Sequence, residues 1–254
     1  MRIHQFVIAA VFIPLSIGAH AKDFYRIIKV GDDTQRLPYV QSTNQAAAQR
    51  INEFVFQESV GTAAPQTAQW TPPKEANGAP GTYAVDYHIR RNDAQVLAMN
   101  LSMEGCGAYC ENFDFYYQFN AATGRSIGLQ DVFTSKGIEQ LSRRIAQLNI
   151  DKIKREIKQL KKIKPEYAEE SLSVYESCLE FRVASLASPI DSEYTKFQIY
   201  PDSVRFFDER CSNHAMRGVD ELGEFVNTFK SAQLKPYLTP YGRVLMGQTP
   251  ARLQ

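Results

Sequence analysis

Hydrophobic and polar residues alternate along three neighbouring stretches of the chain, which is the period of a half-buried β-strand. The three stretches are TYAVDYHIRR, AQVLAMNLSME and FDFYYQFN. The segments RND and ATGR between them are rich in turn residues, and such short connections join antiparallel strands. The sequence therefore predicts an antiparallel β-meander. Its third strand is predicted to bury one stripe of aromatic residues, Phe113, Phe115, Tyr117 and Phe119.

Apolar residues at a spacing of three and four predict helices on both sides of the meander. Upstream, the strand-like segment FYRIIKV precedes a helix in NQAAAQRINEFVFQE, with Asn44 as its N-cap. Downstream, residues 135–182 are predicted to be helical, with Ser135 as the N-cap and a break at Pro165. KFQIYPDSVRFFDE is typical of a hairpin, and VDELGEFVNTF is predicted to be a short amphipathic helix. This order of elements indicates an α+β fold with a C-terminal hairpin.

The first 21 residues have the pattern of a secretory signal peptide: Arg2, an apolar stretch from Phe6 to Ile17, and the cleavage pattern Ala19-His20-Ala21. An uncleaved membrane anchor is the alternative. The mature chain is expected to be periplasmic or secreted, with no transmembrane segment. Residues 22–81 are predicted to be an N-terminal strand-helix lobe and linker, in which Trp70 folds onto the edge of the core. Residues 82–254 are predicted to be the main α+β domain.

Charge argues against nucleic acid as the partner. Removing residues 1–21 takes one basic residue, Arg2, from the 29 in the chain and leaves 28 basic and 28 acidic residues. A nucleic-acid-binding protein is expected to have a clear excess of basic residues.

Four cysteines fall in the predicted mature chain, at Cys106, Cys110, Cys178 and Cys211. An even number in an exported protein indicates two disulfides. Three pairings are open, and Cys106–Cys110 with Cys178–Cys211 is favoured because the first pair flanks a short turn. A zinc site is disfavoured because the mature chain has only two histidines, His88 and His214, neither at ligand spacing from a cysteine pair. The spacing C-x-x-x-C also departs from the C-x-x-C redox motif, so no cofactor or metal is predicted.

A family resemblance enters at FYYQFNAATGRSIGLQDVF, which combines an aromatic strand, a T-G-R turn and the ending L-x-D-V-F. This segment resembles the extracellular domain of RsiV-type anti-sigma factors. The same module accompanies the catalytic domain of PdaC-type peptidoglycan deacetylases. The segments FYRIIKV and AAAQRINEFV are similar to the family's N-terminal lobe, and Asp202–Phe207 with Leu234–Leu238 are similar to its C-terminal end. The chain is expected to lack the sigma-binding segment of the first group and the deacetylase domain of the second, and so to depart from both architectures.

The resemblance implies a binding function, because the RsiV module recognises lysozyme. The expected partner is a lysozyme-like cell-wall hydrolase or peptidoglycan, and an inhibitor or immunity role is a specific form of this hypothesis. The chain is expected not to be an enzyme. The alternative is a hydrolase or deacetylase that acts on cell-wall glycan.

The candidate ligand-binding residues are Tyr109, Glu111, Tyr116 and His214. Tyr109 and Tyr116 lie outside the predicted buried stripe and are therefore expected to reach a partner. Glu111 flanks the cysteine turn, where a carboxylate can accept hydrogen bonds from sugar hydroxyls. His214 lies in the polar loop CSNHAMRG, and loops carry binding residues more often than strands do. No catalytic residue is identified, and His88 is expected to be a solvent-facing strand histidine.

The run KIKREIKQLKKIKP, which contains Lys152 to Lys164, is the clearest charge feature. Its isoleucines are expected to pack a surface helix while its lysines face water. Contact with anionic lipid or a wall polymer is the alternative for this basic amphipathic helix.

Overall fold

The computed structural model describes residues 24–72, 81–106, 110–186 and 196–247, so the proposed signal peptide lies outside the described residues. The strands are β1 (Arg26–Gly31), β2 (Arg36–Gln41), β3 (Gly81–Asn92), β4 (Val96–Cys106), β5 (Cys110–Asn120), β6 (Lys196–Ile199), β7 (Ser203–Asp208) and β8 (Phe225–Lys230). The helices are α1 (Gln45–Val60), α2 (Leu129–Val132), α3 (Ser135–Leu160), α4 (Pro165–Ser185), α5 (Ser231–Leu234) and α6 (Pro240–Leu245). The strands form three antiparallel sheets, β1-β2, β3-β4-β5 and β6-β7-β8. The predicted α+β fold and its β-meander are confirmed.

The hairpin of β1 and β2 depends on Gly31 and Asp32 at its turn. One carboxylate oxygen of Asp32 accepts hydrogen bonds from the backbone N–H groups of Thr34 and Gln35, each at 2.8 Å. Gly31 has a φ of 105°, and a Cβ there would lie 1.9 Å from the Gln35 carbonyl oxygen, so this turn requires glycine. The sequence pattern does not predict β2, because Pro38 lies in its middle and proline is unusual inside strands.

Helix α1 has the predicted N-cap. The side chain of Asn44 accepts a hydrogen bond from the backbone N–H of Ala47, and Gly61 ends the helix in the left-handed conformation. Trp70 packs edge-on against Phe56 with ring centroids 5.4 Å apart, which confirms that it folds back onto the core. The proposed division of the chain after residue 81 stays a prediction.

β4 is the middle strand of the meander, and its residues are buried without a break from Val96 to Leu101. Its two faces belong to two different hydrophobic cores. Leu97, Met99 and Leu101 pack with α1 and the first hairpin, whereas Val96 and Ala98 pack with α3 and the sheet β6-β7-β8. The meander is therefore the middle layer of the molecule along this part of β4.

The long helices α3 and α4 form a helical hairpin with its own core. Thr134 rather than the predicted Ser135 is the N-cap of α3, because the Thr134 hydroxyl accepts a hydrogen bond from the Gly137 N–H at 3.0 Å. Pro165 occupies the first turn of α4, as predicted. Between the helices and β8 lies a third cluster of buried side chains, Ile153, Ile157, Leu160, Ala168, Tyr175 and Phe225.

The last sheet confirms one prediction and corrects another. The predicted hairpin is formed by β6 and β7. The short helix predicted in VDELGEFVNTF is wrong, since Phe225–Lys230 is strand β8 with strictly alternating burial. Phe225, Asn227 and Phe229 face inward on that strand, so the period of two outweighs the weaker helical pattern. In the described ranges, none of the helices combines the length and the apolar character that a bilayer crossing requires.

Candidate functional site

Two disulfides hold the region to which the sequence assigns the binding residues. Cys106–Cys110 links the ends of β4 and β5, where the two cysteines are register partners. Cys178–Cys211 links α4 to the segment after β7. Both predicted pairings are confirmed, and Cys211 lies in a bend that follows β7.

The segment 209–224 is organised around the buried carboxylate of Asp220. This carboxylate accepts hydrogen bonds from the Tyr175 hydroxyl at 2.9 Å, from the backbone N–H and hydroxyl of Ser212 at 3.1 and 2.8 Å, and from the Gly223 N–H at 3.2 Å. Burial raises the pKa of Asp220, but the hydrogen bonds from Ser212 and Tyr175 outweigh it and hold that pKa below its ordinary value. The segment is thus fixed to α4 by a disulfide and by a charged hydrogen bond.

An ion pair between Glu111 and Arg217 connects this segment to the start of β5. Arg217 lies in a short 3₁₀ turn, three residues after the exposed His214. The structure therefore brings Glu111 next to the segment that carries His214, although the two residues are far apart in the sequence. Tyr109 lies outside the described residues.

Tyr116 is not free to reach a partner, contrary to the prediction. Its ring stacks on Phe207 of β7, with centroids 3.7 Å apart and planes 8° from parallel. Its hydroxyl donates to Glu224 at 3.4 Å. Burial, together with the negative charges of Glu224 and Asp114, raises the pKa of Tyr116 above its ordinary value. Tyr116 therefore fastens the meander to the last sheet.

The exposed aromatic side chains of this region lie on the other face of β5. Phe113 is 44% exposed and Phe115 is 38% exposed, so the predicted buried stripe is wrong for these two residues. It is right for Phe119, which is fully buried, and Tyr117 is partly buried. Tyr117 and Phe119 are covered by the ring of Phe54 on α1. The other two phenylalanines extend beyond that cover.

Phe113, Phe115 and Tyr117 form a continuous row, which we call the aromatic strip. The rings of Phe115 and Tyr117 are stacked at 6.3 Å with planes 9° apart. On β4, the partly buried Met103 is the register partner of Phe113. β5 is an edge strand in the described part of the sheet. The strip therefore lies at one border of the meander.

One carboxylate, that of Glu58 on α1, lies close to Tyr117 of the aromatic strip. Burial, with a further contribution from the charge of Glu58, raises the pKa of Tyr117 to about 12. Burial and the charge of Asp86 likewise raise the pKa of Tyr87 on β3. Glu111 lies at the disulfide end of the same strand as the strip. Glu111 is ion-paired with Arg217 and Asp86 with Arg36, so these two carboxylates add little net charge beside the strip.

Glu224, which packs against the opposite face, is engaged in a structural contact, since it accepts from the Tyr116 hydroxyl. Burial raises the pKa of Glu224, and the nearby charge of Asp114 adds to this shift. His88 is exposed on β3, as predicted. Glu104 lies close to the sulfurs of Cys106 and Cys110, but these sulfurs are joined to each other and are not thiolates.

The basic helix follows the ordinary pattern of a surface helix. Ile150, Ile153 and Ile157 are buried, whereas most of the lysines between positions 152 and 164 are exposed. Lys152 donates to the Val226 carbonyl at 3.1 Å, and burial lowers its pKa. The favoured packing of this helix is confirmed.

Sequence comparison does not assign the chain to a family: no family model matches it, and no curated protein matches it. Structure comparison finds a DUF3298 protein from Bacteroides fragilis with a TM-score of 0.50 and 11% identity, covering 89% of this chain and 96% of that one. A DUF3298 protein from Pseudomonas aeruginosa gives a TM-score of 0.45 and 9% identity, covering 87% of this chain and 94% of that one. The fold of this chain is thus similar to that of a solved DUF3298 protein along nearly its whole length.

Proposed function

We propose that this chain is an exported binding protein without catalysis of its own, and that its partner is a lysozyme-like cell-wall hydrolase. We also propose that the chain is related to the extracellular module of RsiV-type anti-sigma factors and to the accessory module of PdaC-type deacetylases. The observation that carries it is the aromatic strip beside the disulfide-closed end of β5. The two disulfides are typical of proteins that mature in an oxidising compartment, which supports export.

The aromatic strip has the composition of a protein-binding surface. Aromatic residues are enriched in protein interfaces, and large aromatic anchors often dominate the binding energy. Phe113 and Phe115 leave apolar area in water that contact with a partner would cover.

The region is also held in shape before a partner arrives. The Cys106–Cys110 bond closes the end of the hairpin, and the Glu111–Arg217 pair ties it to the segment 209–224. A surface that is already ordered loses less conformational entropy on binding. These contacts favour recognition through a fixed surface.

We also propose that the chain has no catalytic activity. The support for this part is that titratable side chains of the candidate site make structural contacts. Glu111, Tyr116 and Asp220 each hold two elements together. Incubating the purified chain with peptidoglycan tests this part. Release of reducing sugar or acetate would establish the enzymatic alternative and overturn the proposal.

Titration calorimetry against a panel of lysozymes tests the binding proposal. At least one lysozyme is expected to bind, and Phe113→Ala with Phe115→Ala is expected to weaken that binding by about 30-fold or more, the loss of a typical hot spot of ~2 kcal/mol. Ile163→Ala is the matched control, since Ile163 is 49% exposed in the turn between α3 and α4 and does not belong to the strip. Failure of every lysozyme to bind, or equal weakening by the control, would refute the proposal.

A further inference from the structure

A polar cleft of about 750 Å³ lies on the N-terminal lobe. Its walls are β2, the first turns of α1 and the segment 64–66. Its volume falls within the range of small-molecule sites, about 300–1,000 Å³. The polar side chains around it are mostly uncharged: Gln41, Ser42, Thr43, Gln45, Gln49 and Gln66.

The floor of the cleft is rigid. Asn52 is buried, its side-chain oxygen accepts from the Val40 N–H at 2.7 Å, and its side-chain nitrogen donates to the Val40 carbonyl at 3.0 Å. This pair of bonds fixes α1 to β2. Tyr39, Ala48 and Pro65 add apolar surface to the lining. The cleft is therefore a formed feature that does not depend on the polar side chains at its rim.

The hydrogen-bonding groups at the rim are available to a ligand. In the described ranges, no hydrogen bond uses the side-chain amides of Gln41, Gln45 or Gln66. The amide of Gln49 donates to Glu53 at 2.8 Å and keeps its oxygen. Each glutamine amide offers two donors and one acceptor. Several such amides around one cleft suit a ligand with both N–H or O–H donors and carbonyl acceptors.

The charge of the cleft restricts the ligand further. Arg26 and Glu53 are its two charged lining residues, one of each sign. A strongly anionic or cationic ligand would gain no net attraction there. A neutral sugar that carries acetamido groups fits best, because it has an amide N–H, an amide carbonyl and hydroxyls for the rim, and a methyl group and C–H face for the apolar floor.

We propose that this cleft binds neutral glycan chains built from acetamido sugars. The site is separate from the aromatic strip, whose rings lie on β5. The inference therefore does not rest on hydrolase binding. The chain would then have two recognition surfaces, one for a protein and one for a glycan.

Saturation-transfer NMR and calorimetry with chitotetraose test the inference on the whole mature chain. Chitotetraose is expected to bind, whereas cellotetraose, which has hydroxyls in place of the acetamido groups, is expected to bind at least tenfold more weakly. A soluble disaccharide-peptide fragment of peptidoglycan and the isolated stem peptide are run beside them. Binding of chitotetraose or of the disaccharide fragment supports the inference, and the relative affinity of the two distinguishes a general glycan from a wall source.

Substitutions at the rim locate the binding. Gln45→Ala with Gln66→Ala is expected to weaken glycan binding at least tenfold, since both side chains are exposed and the fold does not use their amides. Gln57→Ala, at the other end of the same helix, is the matched control and is expected to leave binding unchanged. The inference is overturned if neither chitotetraose nor the disaccharide-peptide fragment binds. It is also overturned if cellotetraose or the isolated stem peptide binds as tightly as chitotetraose, or if the rim variants bind the glycan as tightly as the control does. Loss of lysozyme binding in the strip variants would not affect this result.

Discussion

Beside the Cys178–Cys211 disulfide, the hydroxyl of Tyr175 is a contact through which α4 holds the segment of Arg217 and His214, and Tyr175→Phe removes it. Tyr175 is fully buried. Its hydroxyl donates to Asp220 at 2.9 Å and accepts from the Leu222 N–H at 3.0 Å. The variant therefore leaves a buried carboxylate with one hydrogen bond fewer and an N–H group without its partner.

The expected loss of stability is ~2–4 kcal/mol, because each unsatisfied buried group costs about 1–3 kcal/mol. This corresponds to a fall in Tm of roughly 10 °C for a chain of this size. Urea unfolding and thermal unfolding measure both quantities. Tyr237→Phe is the control, since Tyr237 enters the described hydrogen bonds through its backbone, with its carbonyl accepting from Thr134.

The pH dependence of this loss identifies its cause. The pKa of Asp220 is lowered in the folded state, so its stabilising contribution is complete above the unfolded value of about 3.9 and is lost as the pH falls through the lower folded value. The Tyr175 hydrogen bond contributes to that lowering. The difference between the native chain and Tyr175→Phe should therefore be largest near neutral pH and shrink in acid. A loss below ~0.5 kcal/mol, the range of an ordinary surface change, or a loss that grows in acid would refute the reasoning.

Two other predictions concern stability, each read by thermal unfolding. Replacing Cys178 and Cys211 together by serine should cost about 4 kcal/mol, whereas replacing Cys106 and Cys110 should cost at most about 2 kcal/mol, because the disulfide loops have sequence separations of 33 and 4; equal losses would contradict the chain-entropy argument. Gly137→Ala should destabilise by ~1–3 kcal/mol, because a Cβ there would lie 2.4 Å from the Tyr237 carbonyl oxygen. Helix propensity alone would make Gly137→Ala stabilising. A stabilised variant would therefore contradict the prediction and show that the Tyr237 backbone moves to make room for the added Cβ.

Local patterns carried enough information for most of the fold. Strands β3, β4 and β5 show an alternation of two, and helices α1 and α3 show a spacing of three and four. Each of these periods is visible within a short stretch of sequence, so the sequence predicts these elements. Strand β8 has the same alternation, with Phe225, Asn227 and Phe229 facing inward, but its segment also fits the amphipathic pattern from which a short helix is predicted. Strand β2 is not predicted, because it contains Pro38 and proline is unusual inside strands.

The candidate site was less predictable, because it depends on contacts between distant segments. The alternation on β5 places Phe113, Phe115, Tyr117 and Phe119 on one face, but it cannot show that α1 covers only the last two. The pairing of Glu111 with Arg217 and the stacking of Tyr116 on Phe207 join different sheets and loops. No periodicity along the chain encodes such contacts. The short sequence separation of Cys106 and Cys110, in contrast, did indicate their disulfide.

Photo-crosslinking from the aromatic strip tests the central claim most directly. Phe113 is replaced by benzoylphenylalanine, and Ile163 is replaced in the same way as the control, since the two side chains are similarly exposed at 44% and 49%. On illumination with the lysozyme that binds most tightly, the chain substituted at position 113 should form a covalent adduct, and the chain substituted at position 163 should not. An adduct only from position 163, or no adduct from position 113 under conditions in which the complex is formed, would contradict recognition through the strip.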